Sequence, residues 1–256
     1  MNRIKEIHHY YKQHETFLDD IITNYDSKGE DFGNQDRNSL KLFTLEDKTL
    51  NVKSFRVPNF INQLAYRFLR KSKAQRSFEY ANRLQDLDIG TPKPIAYYEF
   101  KTWLLFKKSY YISEQLDCDL TYRELTTDLN YPNHEAILRA FTRFTFNLHE
   151  KQVKFLDHSP GNTLIKKVGK QYEFYLVDLN RMEFKSMDLK ERIKNFAKLT
   201  THKSLIEVMS DEYAKCCNLP FEEVFVDMWN NTQEFQRRYW RRRRIKKKIK
   251  FWKTSK

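Results

Sequence analysis

Apolar and polar positions alternate with different periods in different parts of the chain. Residues 4–25 place apolar or aromatic side chains at alternating steps of three and four, which predicts an amphipathic helix. Residues 39–44 and 50–56 are short apolar segments around a turn at 46–48 and predict a β-hairpin. Residues 61–87 contain neither glycine nor proline, so we expect one or two helices there.

Strand patterns continue at 94–100 and 103–113, and the chain then becomes mainly helical. One strand pair, 163–168 and 172–177, interrupts this second part. A strand-rich part followed by a helical part predicts an α+β fold with two lobes of different class. We divide the chain into an N-terminal amphipathic helix (1–25), a strand-rich N-lobe (26–113), a helical C-lobe (114–236) and a polybasic aromatic tail (237–256).

The charge of the chain is concentrated at its end. Of 256 residues, 40% are hydrophobic and 15% aromatic, which excludes disordered and collagen-like classes. Twelve of the 47 Lys and Arg residues lie in 237–256 without any acidic residue, which leaves 35 cations and 34 acids in 1–236. This asymmetry predicts a polyanion-seeking tail on a nearly neutral body.

Three cysteines, two of them adjacent, fit neither a disulfide framework nor a Cys-x-x-Cys metal site, and they favour a reducing compartment. The N-terminal residues carry charges where a secretory signal would be apolar, and no apolar run is long enough for a membrane span. We therefore expect a cytosolic protein that is able to touch a membrane surface.

The segment 155–180, FLDHSPGNTLIKKVGKQYEFYLVDLN, carries the clearest chemical pattern. Asp157 and Asn162 stand five apart in a loop, and Asp178 follows the second strand of the next hairpin. Phosphoryl transfer needs a carboxylate that accepts the proton of the attacking hydroxyl, together with oxygen ligands for Mg²⁺. Asp157 suits the first role, and Asn162 and Asp178 suit the second. An Asx-capped polar turn is the alternative interpretation.

Two more positions strengthen the hypothesis. Lys53 lies in a predicted strand, and Glu79 lies 26 residues later in a predicted helix, the order in which a kinase places its phosphate-binding Lys and the Glu that holds it. The loop GEDFGNQDRN before the first strand contains Gly29 and Gly33, whose backbone could cover phosphates, although two glycines four apart equally fit a plain surface turn.

The stretch RKSKAQRSFEYANRLQDLDIGTPKPIAYYE, with NVKSF before it and FLDHSPGNTLI and YLVDLNR after it, resembles the bacterial lipopolysaccharide kinase family of Kdo and heptose kinases. The resemblance spans roughly residues 29–200. It implies a protein-kinase-like two-lobed fold with an abbreviated helical C-lobe. It also implies use of ATP and Mg²⁺ to phosphorylate a sugar, Kdo or an inner-core heptose, of lipopolysaccharide.

Carried over by position, the resemblance assigns roles to the motif residues. Asp157 would be the catalytic base, Asn162 and Asp178 the metal ligands, Lys53 the ATP phosphate contact and Glu79 its partner. Gly33 is a candidate for covering ATP from its position in the glycine-containing loop, and the resemblance does not assign it.

The sequence departs from the protein-kinase pattern at two places, and three nearby residues have more than one possible role. Phe155-Leu156 replaces the His-Arg of protein kinases, and Leu179-Asn180 replaces Phe-Gly, which argues against control by activation-loop phosphorylation. Arg181 either faces the site or faces solvent. His158 is interpreted as an exposed loop histidine, with substrate contact as the alternative, and His149 as a helix cap.

The tail mixes cations with aromatic and aliphatic side chains, and Ile245, Ile249 and Trp252 recur at helical steps. This favours an anionic membrane surface near the lipid-linked saccharide substrate, on the inner leaflet of the bacterial inner membrane. A nucleic-acid partner and a solvated tail without a partner are the alternatives. The expected contact residues are Arg241, Arg242, Arg243, Arg244, Lys246, Lys247 and Lys248.

Two other functions remain possible from the sequence: a protein or aminoglycoside-type kinase of the same fold, and a catalytically silent membrane- or RNA-binding module. Retention of all five candidate residues disfavours the silent module. The sequence does not determine the acceptor hydroxyl, the number of phosphates added or the oligomeric state.

Overall fold

A computed structural model describes residues 2–33 and 38–254 of the chain, with side chains as far as residue 247. The chain divides into two units. The first unit comprises Met1–Asp117 and Tyr175–Arg181, and the second comprises Cys118–Phe174 and Met182–Lys256. The short segment 175–181, which ends with the Asp178 region, therefore belongs to the strand-rich part of the protein.

The first unit is built on a six-stranded antiparallel sheet in the spatial order β1-β5-β6-β4-β3-β2. Its strands are β1 (Asn2–Ile7), β2 (Glu30–Asp31), β3 (Asn38–Leu45), β4 (Lys48–Phe55), β5 (Pro94–Lys101) and β6 (Phe106–Glu114). The predicted strands at 39–44, 50–56, 94–100 and 103–113 are thus present, with shifted ends.

One face of this sheet is covered by helix α1 (Glu15–Thr23). Leu18 and Ile21 of the helix share a buried cluster with Leu50 and Val52 of β4. Leu50 and Val52 are two residues apart on one strand, so both point to the same face of the sheet. The core of the first unit therefore lies between α1 and the central strands.

The prediction of one helix over residues 4–25 is wrong for its first half. Residues 2–7 form β1, which pairs with β5 from Asn2↔Lys101 to Ile7↔Ala96, and His9–His14 form a 3₁₀ helix before α1. Lys5 and Arg3 of β1 both donate to Asp19 of α1. A free edge of the sheet offers backbone partners that a local periodicity argument does not include.

The predicted helical region after β4 consists of two helices, α2 (Phe60–Phe68) and α3 (Lys73–Asp86). The Ser72 side chain accepts a hydrogen bond from the Gln75 amide and so begins α3. After α3 the chain passes through Gly90 to β5.

The second unit is mainly helical. Its helices are α4 (Tyr122–Thr127), α5 (His134–Glu150), α6 (Leu189–Lys194), α7 (Lys203–Cys217) and α8 (Phe221–Thr254), with a 3₁₀ helix at Asn195–Lys198. Its short strands are β7 (Leu120–Thr121), β8 (Val153–Phe155), β9 (Thr163–Val168), β10 (Gln171–Leu176, which runs on into the first unit) and β11 (Met182–Phe184). Phe141, Phe196 and Tyr213 are fully buried members of its core.

Helix α8 is continuous for 34 residues and includes residues 237–254 of the basic tail. No helix among the described residues is long and apolar enough to cross a membrane. The boundary that we placed at residue 237 is therefore a change in composition within one helix.

Candidate active site

Lys53 and Asp178 form the central ion pair of the first unit. Lys53 lies on β4, and its Nζ donates to Oδ1 of Asp178 over 2.8 Å. The same oxygen accepts a hydrogen bond of 2.7 Å from Nδ2 of Asn180. These two residues, predicted from positions 125 apart in the sequence, are thus brought into direct contact.

Asp178 is held in place by the backbone around it. The Leu176 amide donates to the Gly90 carbonyl over 2.8 Å, and the Thr91 hydroxyl donates to the Leu176 carbonyl over 2.9 Å. Asp178 itself has φ of 59°, in the left-handed region that aspartate tolerates better than most residues. The turn after α3 therefore fixes the segment that carries Asp178.

Additional cations surround this pair. Lys73 experiences an attractive interaction with Asp178 and repulsive interactions with Lys53, Arg76 and Arg181. Arg181 is exposed to solvent, and whether it faces the site stays a prediction. The two lysines that interact with the Asp178 carboxylate, Lys53 and Lys73, leave a positive surplus that suits a polyphosphate ligand.

The expected Lys53–Glu79 contact is absent from the described structure. Both carboxylate oxygens of Glu79 accept hydrogen bonds of 2.8 Å from Lys71, and one also accepts from Gln75. Lys71 lies just before α3, within reach of Glu79 on that helix, whereas Lys53 is engaged by Asp178. Glu79 therefore has the predicted position on a helix but a different partner.

Gly33 follows β2, with φ of 66° and open space where a side chain would be. Residues 34–37 of the same loop lie outside the described residues. At Gly29, also at positive φ, an added Cβ would come within 2.5 Å of the Phe43 ring. The close packing at Gly29 explains that glycine, and an ATP-covering role for Gly33 remains a prediction.

Asp157 and Asn162 lie in the loop between β8 and β9 of the second unit. Nδ2 of Asn162 donates to the backbone carbonyl of Asp157 over 2.8 Å. The backbone N–H of Asn162 donates to the Ser159 carbonyl over 3.0 Å. The five-residue spacing therefore closes the loop through the Asn162 side chain.

The interpretation of His158 as an exposed loop residue is wrong. Its ring is fully buried and stacks on Phe141 with 5.4 Å between the ring centroids. Burial lowers the pKa of His158 to about 3, so the imidazole is neutral at physiological pH. His158 anchors the loop to the core of the second unit, and it leaves the adjacent Asp157 side chain partly exposed.

Three residues whose roles the sequence did not predict, Asn195, His149 and Lys198, hold the Asp157 loop on the core of the second unit. Nδ2 of Asn195 donates to the Phe155 carbonyl over 2.8 Å, and its Oδ1 lies 3.3 Å from Nε2 of His149. His149 also contacts the Tyr213 hydroxyl at 2.8 Å, so it is a buried bridge and not the helix cap we expected. Burial lowers the pKa of His149 to about 4.

Lys198 completes the support. Its Nζ donates to the Leu156 carbonyl and lies 3.9 Å from Oδ1 of Asp157. No motif marks Asn195 or Lys198 in the sequence, because each is about 40 residues from the loop it contacts.

The Asp178 carboxylate of the first unit is the kind of ligand that Mg²⁺ takes in a phosphate-binding site. Both hydrogen bonds that the described structure gives to the Asp178 carboxylate reach Oδ1, which leaves Oδ2 as a ligand atom. Asn162 offers its amide oxygen in the second unit. Hard oxygen donors in small number, completed by phosphate and water, are what Mg²⁺ takes in such sites. No cluster of three or more His, Cys, Asp or Glu side chains within the described ranges is arranged to hold a metal.

The basic part of α8 is exposed as far as its side chains are described. Residues 241–247 are all exposed, and the Arg243 guanidinium lies 5.3 Å from the ring centre of Trp240. The side chain of Lys248, which we predicted as a contact residue, lies outside the described residues.

The sequence of residues 41–218 matches the model of the lipopolysaccharide kinase (Kdo/WaaP) family. The match covers more than half of the chain, and the protein belongs to this family. It is therefore a lipopolysaccharide kinase by family, a phosphotransferase that uses ATP.

A solved structure described as WaaP in complex with acyl carrier protein is similar to this chain, with a TM-score of 0.63 and 15% sequence identity. The similarity covers 93% of this chain and 98% of the other. It confirms the predicted kinase-like α+β fold. No curated protein sequence matches the chain.

Proposed function

We propose that this protein transfers the γ-phosphate of ATP, with Mg²⁺, to a hydroxyl of Kdo or of an inner-core heptose in lipid-linked lipopolysaccharide precursor. The observation that carries the proposal is the Lys53–Asp178 pair, found in a member of the Kdo/WaaP family among further cations. A phosphate-binding lysine beside a metal-binding aspartate is the arrangement that nucleotide phosphoryl transfer requires.

In the proposed reaction the sugar oxygen attacks the γ-phosphorus, the bond from that phosphorus to the bridging oxygen breaks, and ADP leaves. Asp157 orients the hydroxyl and accepts its proton, and Asn162 keeps the loop that presents Asp157 in shape. Lys53 binds phosphate oxygens. Mg²⁺, held by Asn162 and Asp178, would neutralise negative charge that develops on the phosphates.

The proposed location is the inner leaflet of the bacterial inner membrane. Exposed cations at 241–247 and the aromatic pair Tyr239–Trp240 belong to one helix, a composition typical of contact with anionic headgroups. A protein that acts on an acylated saccharide gains from residence at the surface that holds it, because the substrate then diffuses in two dimensions.

A carrier protein is a second candidate partner. The similar WaaP structure is described as a complex with acyl carrier protein. Co-purification of this protein with acyl carrier protein from the cell that makes it would test whether the association extends to this chain.

The test is transfer of labelled γ-phosphate from ATP to Kdo-lipid A in detergent micelles with Mg²⁺, with wild type beside Asp157→Ala. We expect label in the lipid from wild type and none from the variant. Asp47→Ala, in the exposed turn between β3 and β4, is the matched control and should retain transfer. Absence of lipid label from a wild type that binds ATP would contradict the proposed acceptor, and free heptose and protein acceptors would be tested next.

A further inference from the structure

Helix α2 contains no fully buried residue and leaves several large apolar side chains exposed. Tyr66 contacts Phe106 of β6 with 5.6 Å between the ring centroids, and Nε of Arg67 donates to the Thr102 carbonyl over 3.1 Å. On the other side, Phe60 and Phe68 are each 59% exposed and Ile61 is 75% exposed. A helix of a soluble domain normally buries its apolar face, so these exposed side chains are unusual.

The turn between β5 and β6 extends the same surface. The bond from Arg67 to Thr102 places the C-terminal end of α2 beside this turn, where Trp103 is 83% exposed. Leu69, one residue after α2, is also 83% exposed. We call this set of exposed side chains the α2 surface: Phe60, Ile61, Phe68, Leu69, Trp103 and Leu104.

The charge around the α2 surface has one sign. Residues 56–76 contain six Lys or Arg and no Asp or Glu, and residues 100–109 contain three Lys and no acid. Arg56 and Arg70 are exposed and form no ion pair with any residue that the structure describes. An exposed patch of several large apolar side chains that is bordered by cations marks an interaction site for an apolar and anionic partner.

We propose that the α2 surface lies on an anionic lipid bilayer, as a membrane contact of the first unit that is separate from the basic end of α8. Exposed Phe, Ile and Leu on one helix face, an adjacent Trp and a cationic border are the features of an interfacial helix. A second copy of the chain fits less well, because two copies of this surface would oppose like charges. The inference does not depend on the proposed reaction.

The experiment is flotation of the full-length protein with vesicles of phosphatidylcholine with or without phosphatidylglycerol. The test variant is Ile61→Glu/Leu69→Glu, since both side chains are mostly exposed and their replacement removes little core packing. The matched control is Leu129→Glu/Val168→Glu, which places the same charges at exposed apolar positions of the second unit. Melting temperatures and circular dichroism establish that each variant is folded.

We expect wild type and control to float with anionic vesicles and the test variant to show a partition coefficient lower by about ten-fold. Arg56→Glu/Arg70→Glu should lose binding to the anionic vesicles, which would measure how much the positive charge contributes to membrane binding. Equal flotation of wild type and test variant would overturn the proposal, as would failure of wild type to float.

A fourth variant separates the two proposed membrane contacts. Replacement of Arg241–Arg244 by Gln removes charge from α8 alone. If this variant loses all flotation while Ile61→Glu/Leu69→Glu floats like wild type, the α8 contact stands and the α2 surface does not. If Ile61→Glu/Leu69→Glu instead converts a wild-type dimer into a monomer without lipid, the surface is an interface between copies and the proposal is overturned.

Discussion

Asp178 and Asp157 belong to different units, and the protein positions them by different means. Backbone hydrogen bonds fix the segment of Asp178, and its carboxylate is then held largely by charge: Lys53 donates to it beside the neutral Asn180 amide, and Lys73 interacts with it electrostatically. Asp157 is held by packing and neutral hydrogen bonds: Asn162 donates to its backbone carbonyl, and the neighbouring His158 ring is buried against Phe141. Lys198 Nζ lies 3.9 Å from Oδ1 of the Asp157 carboxylate and brings a positive charge beside it.

The difference corresponds to the task proposed for each residue. A nucleotide and its metal ion bring charges that exchange with ion-pair partners, so a site made of ion pairs can rearrange when they bind. A catalytic base must be fixed in position relative to the hydroxyl proton that it accepts. A loop anchored in a hydrophobic core fixes this position better than ion pairs that can rearrange. Changes to the two aspartates should therefore have separable consequences.

The largest expected effect separates binding from chemistry. Asp157→Asn should lower turnover about a thousand-fold and leave the affinity for ATP with Mg²⁺ within about two-fold of wild type. Asp178→Asn should also abolish turnover, but it should remove the Mg²⁺ dependence of ATP binding. Calorimetric titration with ATP, with and without Mg²⁺, together with turnover measures both. If ATP binding by Asp157→Asn no longer depended on Mg²⁺, the assignment of chemistry to Asp157 and of metal binding to Asp178 would be contradicted.

The next effect concerns the packing that holds the Asp157 loop. His158 has a pKa of about 3 in the folded protein and about 6.5 when unfolded, so below pH 6.5 protons bind preferentially to the unfolded state. Stability should therefore fall as the pH decreases, by about 2 kcal/mol at pH 5 for this residue alone. His149, with a pKa of about 4, should contribute in the same direction.

Urea unfolding between pH 7 and pH 5 measures this loss. His158→Gln should be less stable than wild type at pH 7 but should lose less stability on acidification. A variant whose loss equals that of wild type would show that the acid sensitivity arises elsewhere.

The smallest expected effect tests Lys198, the lysine that lies 3.9 Å from the Asp157 carboxylate. Lys198→Met should lower kcat about ten-fold with little change in the KM for ATP, because the Leu156 carbonyl loses its donor and the loop loses its alignment. Lys194→Met, an exposed lysine of α6, is the matched control. A kcat of Lys198→Met equal to that of wild type would contradict the role of Lys198 in aligning the loop.

Local patterns predicted most of the secondary structure that surrounds the site. The hairpin β3–β4 with Lys53, the helix with Glu79 and the hairpin β9–β10 before Asp178 are where the sequence placed them. Each of these elements carries its own signal in alternation, helical composition or turn residues, and such signals act over a few residues. The first half of the predicted N-terminal helix failed because β1 pairs with a strand about 95 positions later.

The sequence by itself determined which residue types are present for phosphoryl transfer and on which elements they lie, since spacing and periodicity are local properties. Only the tertiary structure decided their partners: Lys53 contacts Asp178, and Glu79 contacts Lys71. It likewise buried His158 and His149 and placed Asn195 and Lys198 behind the Asp157 loop. These contacts join side chains that are mostly far apart in the chain, and they depend on competition among several partners in space, which no local pattern encodes.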